Sequence, residues 1–202
     1  MIRNTSSLLE IIVSTPNIKA IICDMDGTLV DTLPAHYEAW LKACAPYNVN
    51  FSMDYFQKLT GRPAVELAKD IISKYNLPIE AEELVRIKNA YVSEKLDKVE
   101  VIQSVFEVIQ HFHGKLPMTV GTGAREDMAT GILEATKLRQ YFDAVVTSDN
   151  VSNYKPHPET FLKGAAHVGV KPENCLVLED GDLGIDAAKS AGMMVIDVKP
   201  FY

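Results

Sequence analysis

Asp24-Met25-Asp26-Gly27-Thr28-Leu29-Val30-Asp31-Thr32 follows directly on the apolar run Ala20-Ile21-Ile22-Cys23, and together they read as a strand ending in a reactive loop. Side chains alternate faces along a strand, so two carboxylates one residue apart at its end can be aimed at one site while the backbone between them turns. That placement suits a nucleophile beside a proton carrier. Massed negative charge needs an offset, and a hard divalent ion such as Mg²⁺ supplies it through oxygen ligands. With such an ion present, Asp24 is able to attack phosphorus, because the repulsion between a carboxylate and an anionic phosphoryl group is cancelled. Asp-Gly is also a common turn dipeptide, so Asp-x-Asp alone decides nothing and the rest of the chain must.

Beyond Thr32, apolar residues recur at three- and four-residue spacing over 35–45, 53–59, 64–75 and 81–96, broken by Pro, Gly and Asn. This predicts four helices with no strand among them. From Val101 helices alternate with short apolar runs: helices over 101–112, 125–136, 158–168 and 183–191, strands over 117–120, 144–147, 175–178 and 194–198. Such alternation predicts an α/β fold, a Rossmann-like parallel sheet with helices on both faces, interrupted after its first strand by an inserted all-helical cap domain. The expected boundaries are 19–33 with 100–202 for the core, 34–99 for the cap, and 1–18 for an N-terminal extension. In that extension the apolar stretch 8–13 is broken by Glu10, too short to span a membrane and without the features of a signal peptide. A short helix started by Ser6 or Ser7 is expected there.

The 202 residues allow one substantial core plus a smaller insertion. A formal net charge of −7 and the lack of a basic run argue against nucleic-acid binding, and they require local positive charge around any anionic substrate. Cys23, Cys44 and Cys175 are widely spaced, as expected of buried thiols in a reducing compartment.

In sheets of this kind ligands bind beyond the carboxyl ends of the strands. Four loops there hold chemistry-bearing residues: 24–27, 121–124, 153–158 and 179–182. Gly121-Thr122-Gly123-Ala124 offers a hydroxyl and glycine-freed backbone N–H groups where a helix begins, which suits a phosphate oxygen and equally an ordinary strand-to-helix turn. Lys155 precedes Pro156-His157-Pro158, whose rings stiffen the backbone that aims its ammonium. Glu179 and Asp180 close an apolar run, a natural place for ligands of the same metal.

These pieces, in this order, resemble the haloacid dehalogenase-like hydrolase superfamily, through Asp-Met-Asp-Gly-Thr, Lys155-Pro156, and Glu179-Asp180 followed by Gly184 and Ala191-Gly192. The stretches Leu33-Pro34-Ala35-His36 to Trp40 and Thr60-Gly61-Arg62 resemble the β-phosphoglucomutase-like group, and Val120-Gly121-Thr122-Gly123 is similar to its fructose-1-phosphate phosphatase-like members. The resemblance implies that Asp24 takes the phosphoryl group as an aspartyl phosphate, while Asp26 protonates the leaving sugar oxygen and later activates water. It implies Mg²⁺ held by the Asp24 carboxylate, the Asp26 backbone carbonyl, Asp180 and Glu179, with Thr122 and Lys155 on phosphoryl oxygens. A carboxylate acting as an acid near neutral pH needs a raised pKa, expected for Asp26 once the cap excludes water. Hinges are expected near 32–34 and 99–104.

His36, Trp40, Gly61, Arg62, Lys88, Gly123 and Ala124 are the candidates to meet substrate; core packing for Trp40 and solvated helix faces for Arg62 and Lys88 are the alternatives. In β-phosphoglucomutase an arginine three residues after the cap-loop glycine holds a distal phosphate; here that position is Ala64, and Arg62 directly follows Gly61. Net hydrolysis of a small sugar phosphate like fructose 1-phosphate is therefore expected over a mutase reaction interconverting β-glucose 1-phosphate and glucose 6-phosphate, in a cytoplasmic monomer or weak dimer whose partner is a small phosphorylated metabolite, with no nucleic-acid or membrane partner. A catalytically silent binding protein on the same fold is the remaining alternative.

Overall fold

The structure is a computed structural model and describes residues 6–202. Its elements in chain order are α1 (Leu8–Ser14), β1 (Ala20–Cys23), β2 (Val30–Asp31), α2 (Leu33–Cys44), α3 (Met53–Gln57), α4 (Ala64–Tyr75) and α5 (Ala81–Ser93). There follow β3 (Glu100–Val101), α6 (Gln103–Phe112), β4 (Met118–Gly121), α7 (Glu126–Ala135), β5 (Ala144–Val146), α8 (Glu159–His167), β6 (Cys175–Glu179), α9 (Asp182–Ser190) and β7 (Met194–Asp197).

The order β5-β4-β1-β6-β7, all parallel, places β1 at the centre of the sheet. Alternation along β1 sends Ile21 and Cys23 to one face, where they pack with Val105, Val108 and Ile109 of α6 and Ile132 and Leu133 of α7. Ala20 and Ile22 face the other side, against Phe161 and Ala165 of α8 and Ala187 and Ala188 of α9. A strand buried on both faces reads as a continuous apolar run, which is why 20–23 carries no polar residue. Ser7 starts α1 with a reciprocal capping box: its hydroxyl accepts from the Glu10 N–H, and the Glu10 carboxylate accepts the Ser7 N–H. Leu8 and Ile12 then bury against the same core as α6. Residues 1–5 of the expected extension lie outside the described residues.

Helices α2 to α5 enclose a core of their own, built on Trp40, Phe56, Leu67, Ile71 and Leu84. Burying a side chain such as Ile71 or Leu84 completely contributes about 1.5–3 kcal/mol. The chain leaves for these helices after β2 and returns through β3, and the two strands pair antiparallel, Val30 with Val101 and Asp31 with Glu100. Here the structure corrects the helix expected over 101–112: Val101 is in a strand and α6 begins at Gln103. A two-residue strand is too short to show alternation, and its pairing partner lies some seventy residues away. Among the described residues no helix is long and apolar enough to cross a membrane.

Candidate active site

Sheet register brings three of the four loops to one level. Cys23 pairs with Val120 on one side and Leu178 on the other, and the Asp24 N–H donates to the Leu178 carbonyl at 2.9 Å. Asp24, Thr122 and the end of β6 therefore meet just beyond the sheet. Thr122 is buried, its N–H donating to the Val146 carbonyl and its Oγ1 accepting from the Ala124 N–H at 3.0 Å.

Lys155 reaches the same place. Its Nζ lies 2.6 Å from Asp24 Oδ1 and 2.7 Å from Glu179 Oε2, and all three side chains are buried. The other Glu179 oxygen accepts the N–H groups of Asp180 and Gly181 at 3.0 and 2.9 Å. Carboxylate oxygens of Asp24, Glu179 and Asp180 gather within 4.8 Å of one another. Burial, then the Glu179 charge, drives the Asp24 carboxyl well above the usual carboxylate range despite Lys155. The same two causes push Asp180 up to about 7. Burial alone would lower Lys155, but Asp24 and Glu179 outweigh it and hold the ammonium above its ordinary value. Three carboxylates against one ammonium leave two negative charges when all are ionised, and an all-oxygen donor set in that condition fits a hard divalent cation.

Two glycines make this packing possible. Gly27 has φ +89°, and a Cβ there would lie 2.5–2.9 Å from the Asp180 carboxylate atoms. That carboxylate is steadied by the Thr28 hydroxyl, 3.0 Å from Oδ1. At Gly184, in the first turn of α9, a Cβ would fall 1.7 Å from Glu179 Oε2, inside the space the carboxylate occupies. Gly184→Ala is expected to expel Glu179 from Lys155 and cut turnover at least about 100-fold, a misplacement effect read by steady-state kinetics.

Asp26 faces away from this cluster, toward the helical insertion. The Thr32 hydroxyl donates to its Oδ1 at 2.5 Å, and His36 Nε2 stands 3.3 Å from the same oxygen. Lys88 Nζ is 2.5 Å from His36 Nδ1. An ammonium only donates, so Nδ1 accepts and the imidazole proton sits on Nε2, toward Asp26. Burial pushes Lys88 down to about 8. The expected rise in the Asp26 pKa is not found. Burial acts upward, but His36, Thr32 and Lys88 together outweigh it and hold the carboxyl below its ordinary value. Sequence reasoning foresaw the burial and missed these three partners.

A cavity opens between this cluster and the insertion. His36, Trp40, Gly61, Arg62, Lys88, Gly123 and Ala124, all expected near substrate, line it with Asp24, Asp26, Thr122, Glu179 and Asp180. Trp40 also belongs to the helical core and lies beneath Lys88, its ring centroid 5.7 Å from Nζ. Trp40 is thus a core residue that also lines the cavity. Gly123 approaches Gly61 so closely that a Cβ on it would meet the Gly61 carbonyl oxygen at 2.9 Å. Phe56, Val65, Leu67, Val85 and Met128 add apolar surface to the wall. Sequence spacing places these five residues on predicted helices and carries no sign that they face a cavity.

The sequence pattern of the haloacid dehalogenase-like hydrolases matches residues 21–198, nearly the whole chain. The chain belongs to this family. The hydrolase is 41% identical over 180 residues to the fructose-1-phosphate phosphatase YqaB of Escherichia coli (strain K12), covering 89% of this chain and 95% of the relative. It is 31% identical to the phosphorylated carbohydrates phosphatase of Thermotoga maritima, covering 87% and 82% of the two chains. Its fold is similar to the crystal structure of β-phosphoglucomutase from Clostridium difficile, with TM-score 0.80, 26% identity, and coverage of 88% and 83%. The haloacid dehalogenase-like hydrolase is an enzyme of the phosphoric monoester hydrolase class.

Proposed function

We propose that this hydrolase is a Mg²⁺-dependent cytoplasmic phosphatase of a small sugar phosphate resembling fructose 1-phosphate, acting through an aspartyl phosphate on Asp24. The observation that carries the reading is the buried Asp24 carboxylate, held through one oxygen by Lys155 beside Thr122, Glu179 and Asp180. The relative named for fructose 1-phosphate supports the substrate class.

The Asp24 oxygen not held by Lys155 attacks phosphorus; the P–O(Asp24) bond forms as the P–O(sugar) bond breaks. The Asp24 carboxylate, the Asp26 main-chain carbonyl, Asp180 and Glu179 would hold Mg²⁺, which would supply the charge neutralisation that lets a carboxylate approach an anionic phosphoryl group. Thr122 and Lys155 hold the phosphoryl oxygens, and Glu179 aims the lysine. Arrival of a phosphate dianion adds like charge beside Asp26, which raises its affinity for a proton. Asp26 passes that proton to the sugar oxygen, then takes one from the water that attacks phosphorus and releases Asp24. The helices of the insertion act as a lid hinged at β2 and β3, with His36 and Lys88 setting how Asp26 is held.

This reading fixes a pH dependence. Below about 8 the Lys88 ammonium donates to His36 Nδ1 and keeps the imidazole proton toward Asp26; above that value the positive charge is lost and the neutral amine also accepts, so the proton is no longer held on Nε2. Activity is expected to fall as pH rises through about 8. Lys88→Met should be slower at pH 7 and lack that alkaline limb, measured as kcat between about pH 6 and 9.5.

The reading itself is tested with Mg²⁺ and a panel containing fructose 1-phosphate and β-glucose 1-phosphate, following both phosphate release and glucose 6-phosphate formation. Metal-dependent phosphate release lost in Asp24→Asn is expected. Isomerised product without matching phosphate would make the enzyme a mutase, and silence across the panel would favour a binding protein.

A further inference from the structure

Three side chains with a full positive charge line the cavity: Arg62, Lys88 and Arg125. Each has a polar partner, but only Arg62 and Arg125 are paired with a carboxylate. Lys88 meets His36 and, at 3.3 Å, the Asn89 side-chain oxygen; Arg125 Nε lies 3.7 Å from Asp149 Oδ1; Arg62 is ion-paired to Asp70 of α4. Asp70 is not part of the cavity wall, so its carboxylate holds Arg62 from behind. Phe56, Val65, Leu67 and Val85 give the insertion's side of the cavity an apolar stretch, with Thr60, His36 and Asn89 as its uncharged polar members.

We propose that Asp70 is a specificity-determining residue: by occupying Arg62 it denies this part of the cavity wall a free guanidinium and selects substrates with one phosphate and an uncharged remainder. An unpaired guanidinium at this wall would bind a second phosphate in a forked, charge-assisted geometry. Paired to Asp70, it presents a neutral unit whose carboxylate repels that phosphate. Selection by an element unfavourable to the competitor is a general route to specificity. The inference rests on the phosphatase reading.

Asp70 keeps 42% of its side chain exposed and Arg62 26%, so the pair contributes little to stability and variants of either are expected to fold. The test compares kcat/KM for fructose 1-phosphate with fructose 1,6-bisphosphate, and glucose 6-phosphate with glucose 1,6-bisphosphate, in the wild type, Asp70→Ala, and Asp70→Ala with Arg62→Ala. Asp70→Ala is expected to raise the bisphosphate-to-monophosphate ratio about tenfold, and the double variant to return it to the wild-type value. An unchanged ratio in an active Asp70→Ala enzyme, or an equal rise in the double variant, overturns this inference alone. Absence of Mg²⁺-dependent phosphate release from every monophosphate overturns the phosphatase reading and this inference with it.

Discussion

Asp24→Asn is expected to lower kcat by at least about 10⁴-fold while making the metal-free protein more stable, because the nucleophile and the electrostatic burden are the same group. Asn has nearly the shape of Asp and still accepts from Lys155, so the fold is kept. It removes one of three buried carboxylates that crowd a single ammonium. Each kcal/mol of repulsion relieved should raise the melting temperature by about 2–4 °C in a chain of this size. The sign of the pH dependence follows. Asp180 holds its proton up to about 7 when folded but releases it near 3.8 in the unfolded chain, so the folded state binds more protons between those values. The contribution of Asp180 to the stability of the metal-free wild type is fully present below about 4 and is lost as pH rises through about 7. With Asp24 neutral this loss should shrink. Thermal melts across that pH range, with and without Mg²⁺, check both statements, and phosphate release checks the first.

Removing Lys155 has the opposite effect on stability. Lys155→Met leaves Asp24 and Glu179 buried without their shared counter-charge, and breaking a buried pair from one side costs about 3–5 kcal/mol. Turnover should fall about 10³-fold, since the ammonium also faces the charge that builds during phosphoryl transfer. Mg²⁺ should recover more stability in this variant than in the wild type, because there it meets a less compensated cluster. Urea unfolding with and without the ion measures that difference; equal recovery would remove the electrostatic explanation.

Much of this design was legible in the chain. Helix α4 was placed at its observed limits because its apolar spacing is clean, Pro63 precedes it, and Asn76 ends it in a left-handed conformation at φ 52°. Three of the reactive loops could be found because each directly follows an apolar strand, and register brings those three together; Lys155 lies nine residues beyond the end of β5 and reaches the site from a longer loop. The pairings across the cavity were another matter. Lys88 and His36 meet over 52 residues of sequence, and the Tyr202 hydroxyl donates to the Gly27 carbonyl over 175. Spacing shows which face of a helix a residue shares, not which other element packs there. The Asp26 pKa failed for the same reason: burial could be expected from the cap, but spacing does not show that the Thr32 hydroxyl and the His36 imidazole both turn onto the carboxylate and reverse the sign.

The most direct measurement is to quench the enzyme in acid during turnover of fructose 1-phosphate with Mg²⁺ and locate the trapped phosphoryl group by mass spectrometry of the digested chain. A single acid-stable, base-labile acyl phosphate on Asp24, absent from Asp24→Asn, is the expected result. Steady phosphate release with no modified Asp24, or with the phosphoryl group on another residue, would contradict the assignment of Asp24 as nucleophile.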